Sequence, residues 1–188
     1  MLNLISKIRP AILQVLLIKI FYGNSLKRRK FYFFKKYNLH LFLDPFSLLG
    51  QAIMKEKTYE QGTIDLMLEN LNKDSIFFDI GANEGFFSLI ASKVNYNGKT
   101  YAFEPQTQLL PIIERNLIKN NCLNCKIINI GIGEKNYSTK INIFDQTNTG
   151  ASSIIKKYSF FHKTQLITIQ SLDEFVLNNK IHNQIDLI

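Results

Sequence analysis

The sequence predicts an α/β protein: a Rossmann-like, doubly wound, mostly parallel sheet preceded by an N-terminal helical arm. Three observations carry this. Short continuous apolar runs recur at SIFFDI (75–80), KTYAFE (99–104) and KIINIGIG (126–133), as expected of strands buried on both faces. Segments with helical spacing lie between them, at 84–94 and 107–119. The first run leads directly into a glycine-bearing turn, DIGANEG (79–85), the position at which such sheets hold ligands. Parallel strands need helical crossovers, so this alternation specifies the class.

The remaining elements follow in chain order. Residues 1–43 carry nine basic residues (Lys7, Arg9, Lys19, Lys27, Arg28, Arg29, Lys30, Lys35 and Lys36) and no acid. The rest of the 188-residue chain holds fourteen basic against fifteen acidic residues, so the net charge of +8 resides in the arm. An anionic partner is implied. AILQVLLIKIFY (11–22) is shorter than the roughly 20 apolar residues a bilayer span needs, and KRRK (27–30) stands where a signal peptide would have its cleavage site. Two readings of the arm stay open. It is an amphipathic helix in a membrane interface, with KRRKFYFFKKY near the headgroups. Or it is a helix packed on the domain with a solvated basic face. RNA contact by the basic-aromatic run is a third, weaker option. The two cysteines form no disulfide framework, and the expected setting is cytoplasmic, at the inner face of the membrane if the interfacial reading holds.

Asp44-Pro45 ends the arm, which divides the chain into residues 1–43 and a domain over 44–188 with its core from about 75. A helix is predicted over 59–71 from Ile64, Met67, Leu68 and Leu71. STKINIFD (138–145) alternates as a half-exposed strand, QTNTGASS (146–153) is turn-rich, and QLITI (165–169) is another strand. SLDEFVLNN (171–179) is a helix capped by Ser171, and QIDLI (184–188) is the start of a further strand.

The glycine turn discriminates between cofactors. A dinucleotide loop needs a second glycine where the pyrophosphate meets the backbone, and Asn83 stands there; Asp79 adds a negative charge close by. Both features suit a cationic ligand without phosphate, namely S-adenosylmethionine. Asp79 would face its ammonium, Gly81 would let the backbone approach, and Glu104, ending the second strand, would accept both ribose hydroxyls. The other reading of the same residues is a tight strand-to-helix turn and a solvated strand end.

DIGANEGFFSLIA, YAFEPQ, INIGIG, GASSI, TIQSLDEF and IDLI together resemble the FkbM family of class I S-adenosylmethionine-dependent methyltransferases over about residues 57–188, including the approach segment KTYEQGT (57–63). The resemblance implies cofactor contacts from Asp79, Gly81, Asn83, Gly85 and Glu104, with Ile130, Gly131 and Ile132 flanking the adenine. It implies O-methylation of a sugar, glycolipid or secondary-metabolite hydroxyl, so the expected acceptor is a small molecule or glycan, not nucleic acid. The family's pattern continues beyond D-L-I. The expectation is therefore a truncated chain whose sheet is incomplete after the start of strand four. A non-catalytic cofactor-binding remnant and an RNA methyltransferase using the basic arm are the alternatives.

No catalytic base stands out. His40, His162 and His182 are isolated, and Glu60 reads equally as a helix-start carboxylate. Ser152 and Ser153 could reach an acceptor or simply form a turn. Cys122 and Cys125 have C-x-x-C spacing, but they lack a helix N-terminus and a second ligand pair, so no metal is expected.

Overall fold

The structure is a computed structural model, and it describes residues 11–144, 147–156, 163–181 and 184–188. The arm folds as helix α1 (Ala11–Tyr22), a turn of helix α2 (Ser25–Arg28) and a hairpin of β1 (Lys30–Phe34) and β2 (Leu39–Leu43). Helix α3 (Leu48–Gln51) runs into a π-helical turn at Ala52–Glu56, and α4 (Gln61–Asn70) follows. The parallel sheet and its crossover helices comprise β3 (Ile76–Ile80), α5 (Phe86–Val94), β4 (Lys99–Phe103), α6 (Leu110–Lys119) and β5 (Cys125–Ile128). The remainder comprises β6 (Gly131–Gly133), β7 (Tyr137–Ile143), β8 (Lys163–Ser171) and α7 (Leu172–Asn178).

Strands β3, β4 and β5 are parallel and adjacent in that order. The chain returns to the other flank of β3 at Leu187, which bridges Phe77 in parallel while its carbonyl accepts the Phe78 N–H at 3.0 Å. The strand order thus reverses beside β3, and ligands of open α/β sheets bind outside the carboxyl ends of strands at such a point.

Alternation along β3 builds two cores. Phe77 packs with Ile64, Met67, Leu89, Ile90 and Ile113 on the face covered by α4, α5 and α6. Ile76 and Phe78 point to the opposite face, where Phe103 and Phe175 of α7 complete an aromatic cluster; the Phe103 and Phe175 rings are 4.8 Å apart and edge-on. Such edge-to-face pairs add about 0.5–1.5 kcal/mol beyond area burial. Helices on both faces make the sheet doubly wound, as the apolar runs required. Ser171 caps α7 through the Glu174 N–H, also as expected.

Two expectations change. KIINIGIG is not one strand: β5 ends at Ile128, and Gly131 and Gly133 join β8 in a second, mixed sheet of order β6-β8-β7. Asn129 makes the break by donating to the carbonyls of Glu104 and Pro105, which turns the chain out of the first sheet. A Cβ at Gly131 would lie 2.6 Å from Ile169 Cδ1, so the Ile169 side chain packs directly over this glycine. The basic arm is also not uniformly solvated. Phe34, Leu39, Leu41 and Leu43 belong to the same core cluster as β3 and α5, which crosses the charge-defined boundary at residue 43. Arg28 and Arg29 are buried.

Candidate cofactor site

The site lies where β3 and β4 end. Asp79 is the penultimate residue of β3 and is 7 % exposed; its Oδ2 accepts the Ser88 hydroxyl at 2.5 Å. Burial pushes its carboxyl up to about 6, against the opposing pull of its hydrogen bonds from Ser88. Glu104 follows β4 and is 2 % exposed. Its Oε2 accepts the Asn83 N–H and its Oε1 the Gln106 N–H, both at 2.8 Å. Burial and, to a lesser degree, the Asp79 charge raise it to about 6. Each carboxylate oxygen has two lone pairs, so Glu104 is fixed in orientation and can still accept two further donors.

The turn between these acids is unusual in its backbone. Gly81, Asn83 and Gly85 all have positive φ, at 82°, 51° and 78°. The N–H groups of Gly81 and Ala82 both reach the Phe103 carbonyl at 2.9 Å, which ties the turn to the end of β4. A Cβ at Gly81 would meet nothing within 4 Å, so the backbone there faces open space. A Cβ at Gly85 would come within 2.9 Å of Ile113 Cγ2, so this glycine serves packing against α6. The two glycines therefore have different jobs, one open to a ligand and one closed to the core.

Further contacts hold the turn from outside, and sequence reading missed them. Glu84, 2 % exposed, makes a two-pronged ion pair with Arg29 at 2.8 and 2.6 Å. Its carbonyl accepts from Asn116 of α6 at 2.9 Å, and the same amide's Oδ1 accepts the Phe42 N–H. Asn83 Oδ1 accepts from the Thr149 hydroxyl at 2.6 Å, and Gln106 Nε2 donates to the Thr149 carbonyl. The residue that reaches the turn is thus Thr149, immediately before the GASSI segment. Ser152 accepts the Phe144 N–H, and Ser153 accepts the N–H groups of Ile155 and Lys156, so both serines serve turn chemistry.

Among the other sequence candidates, Asp79, Gly81, Asn83, Gly85 and Glu104 come together. Gly131 lies alongside Pro105, whereas Ile130 and Ile132 pack against the Phe103–Phe175 cluster. His40 stacks on Phe33 with ring centroids 5.0 Å apart, and its backbone is gripped by Asn120. His162 and His182 lie outside the described residues. Glu60 starts α4 in a left-handed conformation and is exposed; with burial, its hydrogen bond raises the neighbouring Tyr59 hydroxyl to about 12. Burial pushes the Cys122 thiol up and the Cys125 thiol to about 12, against an ordinary value of 9. Among the described residues no helix is long and apolar enough to cross a membrane.

The reversed strand order and the acids at the ends of β3 and β4 define a Rossmann-like domain with a candidate site at the carboxyl edge of its sheet. The family model described as the Vibrio cholerae RfbT protein matches residues 24–183, and the chain belongs to that family. The match takes in α2 and the β1-β2 hairpin. Comparison with the curated proteins gives no match. Among solved structures, the chain is similar to an rRNA methylase from Streptococcus thermophilus at 25 % identity and a TM-score of 0.35, over 38 % of each chain. It is similar to precorrin-6y C5,15-methyltransferase from Geobacter metallireducens at 30 % identity and a TM-score of 0.34, over 39 % of this chain and 41 % of that one. It is also similar to TYW2 of M. jannaschii in complex with AdoMet at 19 % identity and a TM-score of 0.42, over 57 % of this chain and 44 % of that one. The chain thus spans less than half the length of each of these structures.

Proposed function

We propose that the chain binds S-adenosylmethionine at the β3 and β4 ends and is the cofactor-binding part of a methyltransferase of the FkbM type, acting on a hydroxyl of a sugar, glycolipid or secondary metabolite. The observation that carries the reading is Glu104, buried and anchored by two backbone N–H groups beside the buried Asp79. The residues fit the cofactor. Glu104 retains acceptor capacity for two vicinal hydroxyls, Asp79 supplies a negative charge for an ammonium, and the space over Gly81 admits a ligand against bare backbone.

When bound, the cofactor supplies an electrophilic methyl group on sulfur. The chain's part is orientation. Glu104 sets the ribose and Asp79 the amino-acid end, and the fixed turn keeps both from relaxing. The acceptor is the least constrained part of the reading. FkbM-like motifs favour a glycan or small molecule. An RNA acceptor is the competing reading, and the burial of Arg28 and Arg29 removes two of the cations it would use.

Titration calorimetry with S-adenosylhomocysteine tests the cofactor. Binding by the wild type, and a loss of roughly 100-fold in Glu104→Ala, is expected, since two charge-assisted hydrogen bonds are removed. Equal affinity in wild type and Glu104→Ala would place the ligand elsewhere and sink the assignment. Incubation with labelled cofactor and either glycan lipids or RNA then separates the acceptors.

A further inference from the structure

We propose that the N-terminal unit docks on an anionic lipid surface through a groove between β1, β2 and the π-helical turn. The inference is independent of the cofactor reading. The groove has a volume of about 520 Å³, and Phe31, Tyr32, Leu43, Phe46 and Met54 form its apolar lining. Lys27 and Lys30 line it as well. Lys57 lies 5.2 Å from the Tyr32 ring centroid, and Lys119 lies 5.6 Å from that of Phe31. Two lysines thus line an apolar cleft, two more lie against the rings of its Tyr32 and Phe31, and no carboxylate lines it.

The charges near this cleft are sorted by burial. Arg28 and Arg29 spend their charge on Asp44 and Glu84 inside the protein, at 2.6 Å in each pair. Lys27 and Lys30 of the groove are exposed and make no ion pair with a carboxylate among the described residues, whereas Lys57 donates to the Tyr32 hydroxyl and the Met54 carbonyl. The buried arginines are structural, and the exposed lysines are left for a partner that is itself negative.

Helix α1 extends the same surface. Phe46 of the groove packs with Ile18 and Leu17 of α1. Elsewhere on the helix Leu13, Leu16, Ile20 and Phe21 are 42 %, 42 %, 64 % and 61 % exposed. Leu13, Leu16 and Ile20 share one helical stripe by their spacing. An apolar helix face beside an apolar cleft rimmed by cations matches an interface that is hydrocarbon inside and anionic outside. Nucleic acid would leave the apolar stripe unburied, and a protein partner would have to match both features.

Sedimentation of the full chain with vesicles tests this. Vesicles of phosphatidylcholine mixed with phosphatidylglycerol should pellet the protein, and phosphatidylcholine alone should not. Raising salt should release it, because the Debye length shrinks from about 10 Å at 0.1 M to about 3 Å at 1 M. Each lysine at an anionic surface contributes about fivefold, so Lys27→Gln with Lys30→Gln should weaken partitioning about 30-fold. Ile20→Ser with Phe21→Ser should release the protein from the same vesicles, with far-UV circular dichroism unchanged. Failure of the wild type to pellet at low salt overturns the proposal. So does equal pelleting with neutral vesicles, or vesicle binding that ignores both variants. Concentration-dependent dimers that Ile20→Ser with Phe21→Ser dissolves, without vesicle binding, assign the face to a second copy and overturn it too.

Discussion

Replacing Arg29 by Met is the most informative perturbation of this fold. The guanidinium and the Glu84 carboxylate are 0 % and 1 % exposed, so neither charge has water to fall back on. Met keeps much of the side-chain volume but leaves the carboxylate buried and alone. Breaking a buried pair from one side costs about 3–5 kcal/mol, and loss of the 2.8 Å bond to the Phe42 carbonyl adds about 1 kcal/mol. Against a typical total of about 5–15 kcal/mol, the variant is folded but crippled. Urea unfolding followed by circular dichroism should show the midpoint falling by about 2–3 M if the slope is about 2 kcal/mol/M. Arg29→Met with Glu84→Gln should recover about half of the loss or more, because the orphaned charge is gone. A single variant costing less than about 1 kcal/mol would refute the reasoning. So would a double variant whose cost is the sum of the singles, since residues in direct contact must couple.

Two further outcomes follow from the site. Gly85→Ala should cost about 2 kcal/mol or more, because φ is +78° and the new Cβ meets Ile113 at 2.9 Å; Gly81→Ala shares the positive φ but has open space, so in unfolding assays it should cost less while weakening S-adenosylhomocysteine binding more. The reverse ranking would mean that Gly81 faces the core. Asp79 and Glu104 are raised from 3.8 and 4.5 to about 6, so the native state holds their protons more tightly than the unfolded chain does. Their contribution to stability therefore falls as pH rises from about 4 through 6 and is recovered on acidification. The urea midpoint of wild type relative to Glu104→Gln should improve between pH 7.5 and pH 5, by on the order of 1–2 kcal/mol in unfolding free energy. S-adenosylhomocysteine binding should weaken over the same fall in pH, because the protonated acids no longer offer charged acceptors. A midpoint difference that does not change with pH would place the Glu104 carboxyl in water.

What the sequence made legible is what local rules govern. SIFFDI and KTYAFE announce strands because a strand buried on both faces needs an unbroken apolar run, and β3 and β4 appear within a residue or two of that reading. Ser171 announces a helix start because the cap bond spans three residues. Asp79 and Glu104 stood out as candidates because each lies within one residue of the end of such a strand. The failures share the opposite property. Gly131 reads as a continuing strand until Ile169 of β8 is known to press on it. Arg28 and Arg29 read as solvated charge because their partners, Asp44 and Glu84, lie 16 and 55 residues away. Thr149 in a turn-rich stretch gives no sign that its hydroxyl will close on Asn83, 66 residues earlier.

Those long-range contacts explain how the turn keeps its shape. Three positive-φ residues in five cost conformational energy, about 1 kcal/mol or more at Asn83, which carries a Cβ. Such a backbone persists only when its surroundings over-determine it. Here they do so from every side: Arg29 from the arm, Asn116 from α6, Thr149 from the β7–β8 connection and Glu104 from β4. A turn held this way has little left to order when a ligand arrives, so more of the binding energy is expressed as affinity. It also means that the β1-β2 hairpin, drawn from the charge pattern as part of an appendage, is mechanically part of the candidate site. The arm's cationic surface and the turn meet at adjacent residues, with exposed Lys30 facing solvent and Arg29 gripping Glu84.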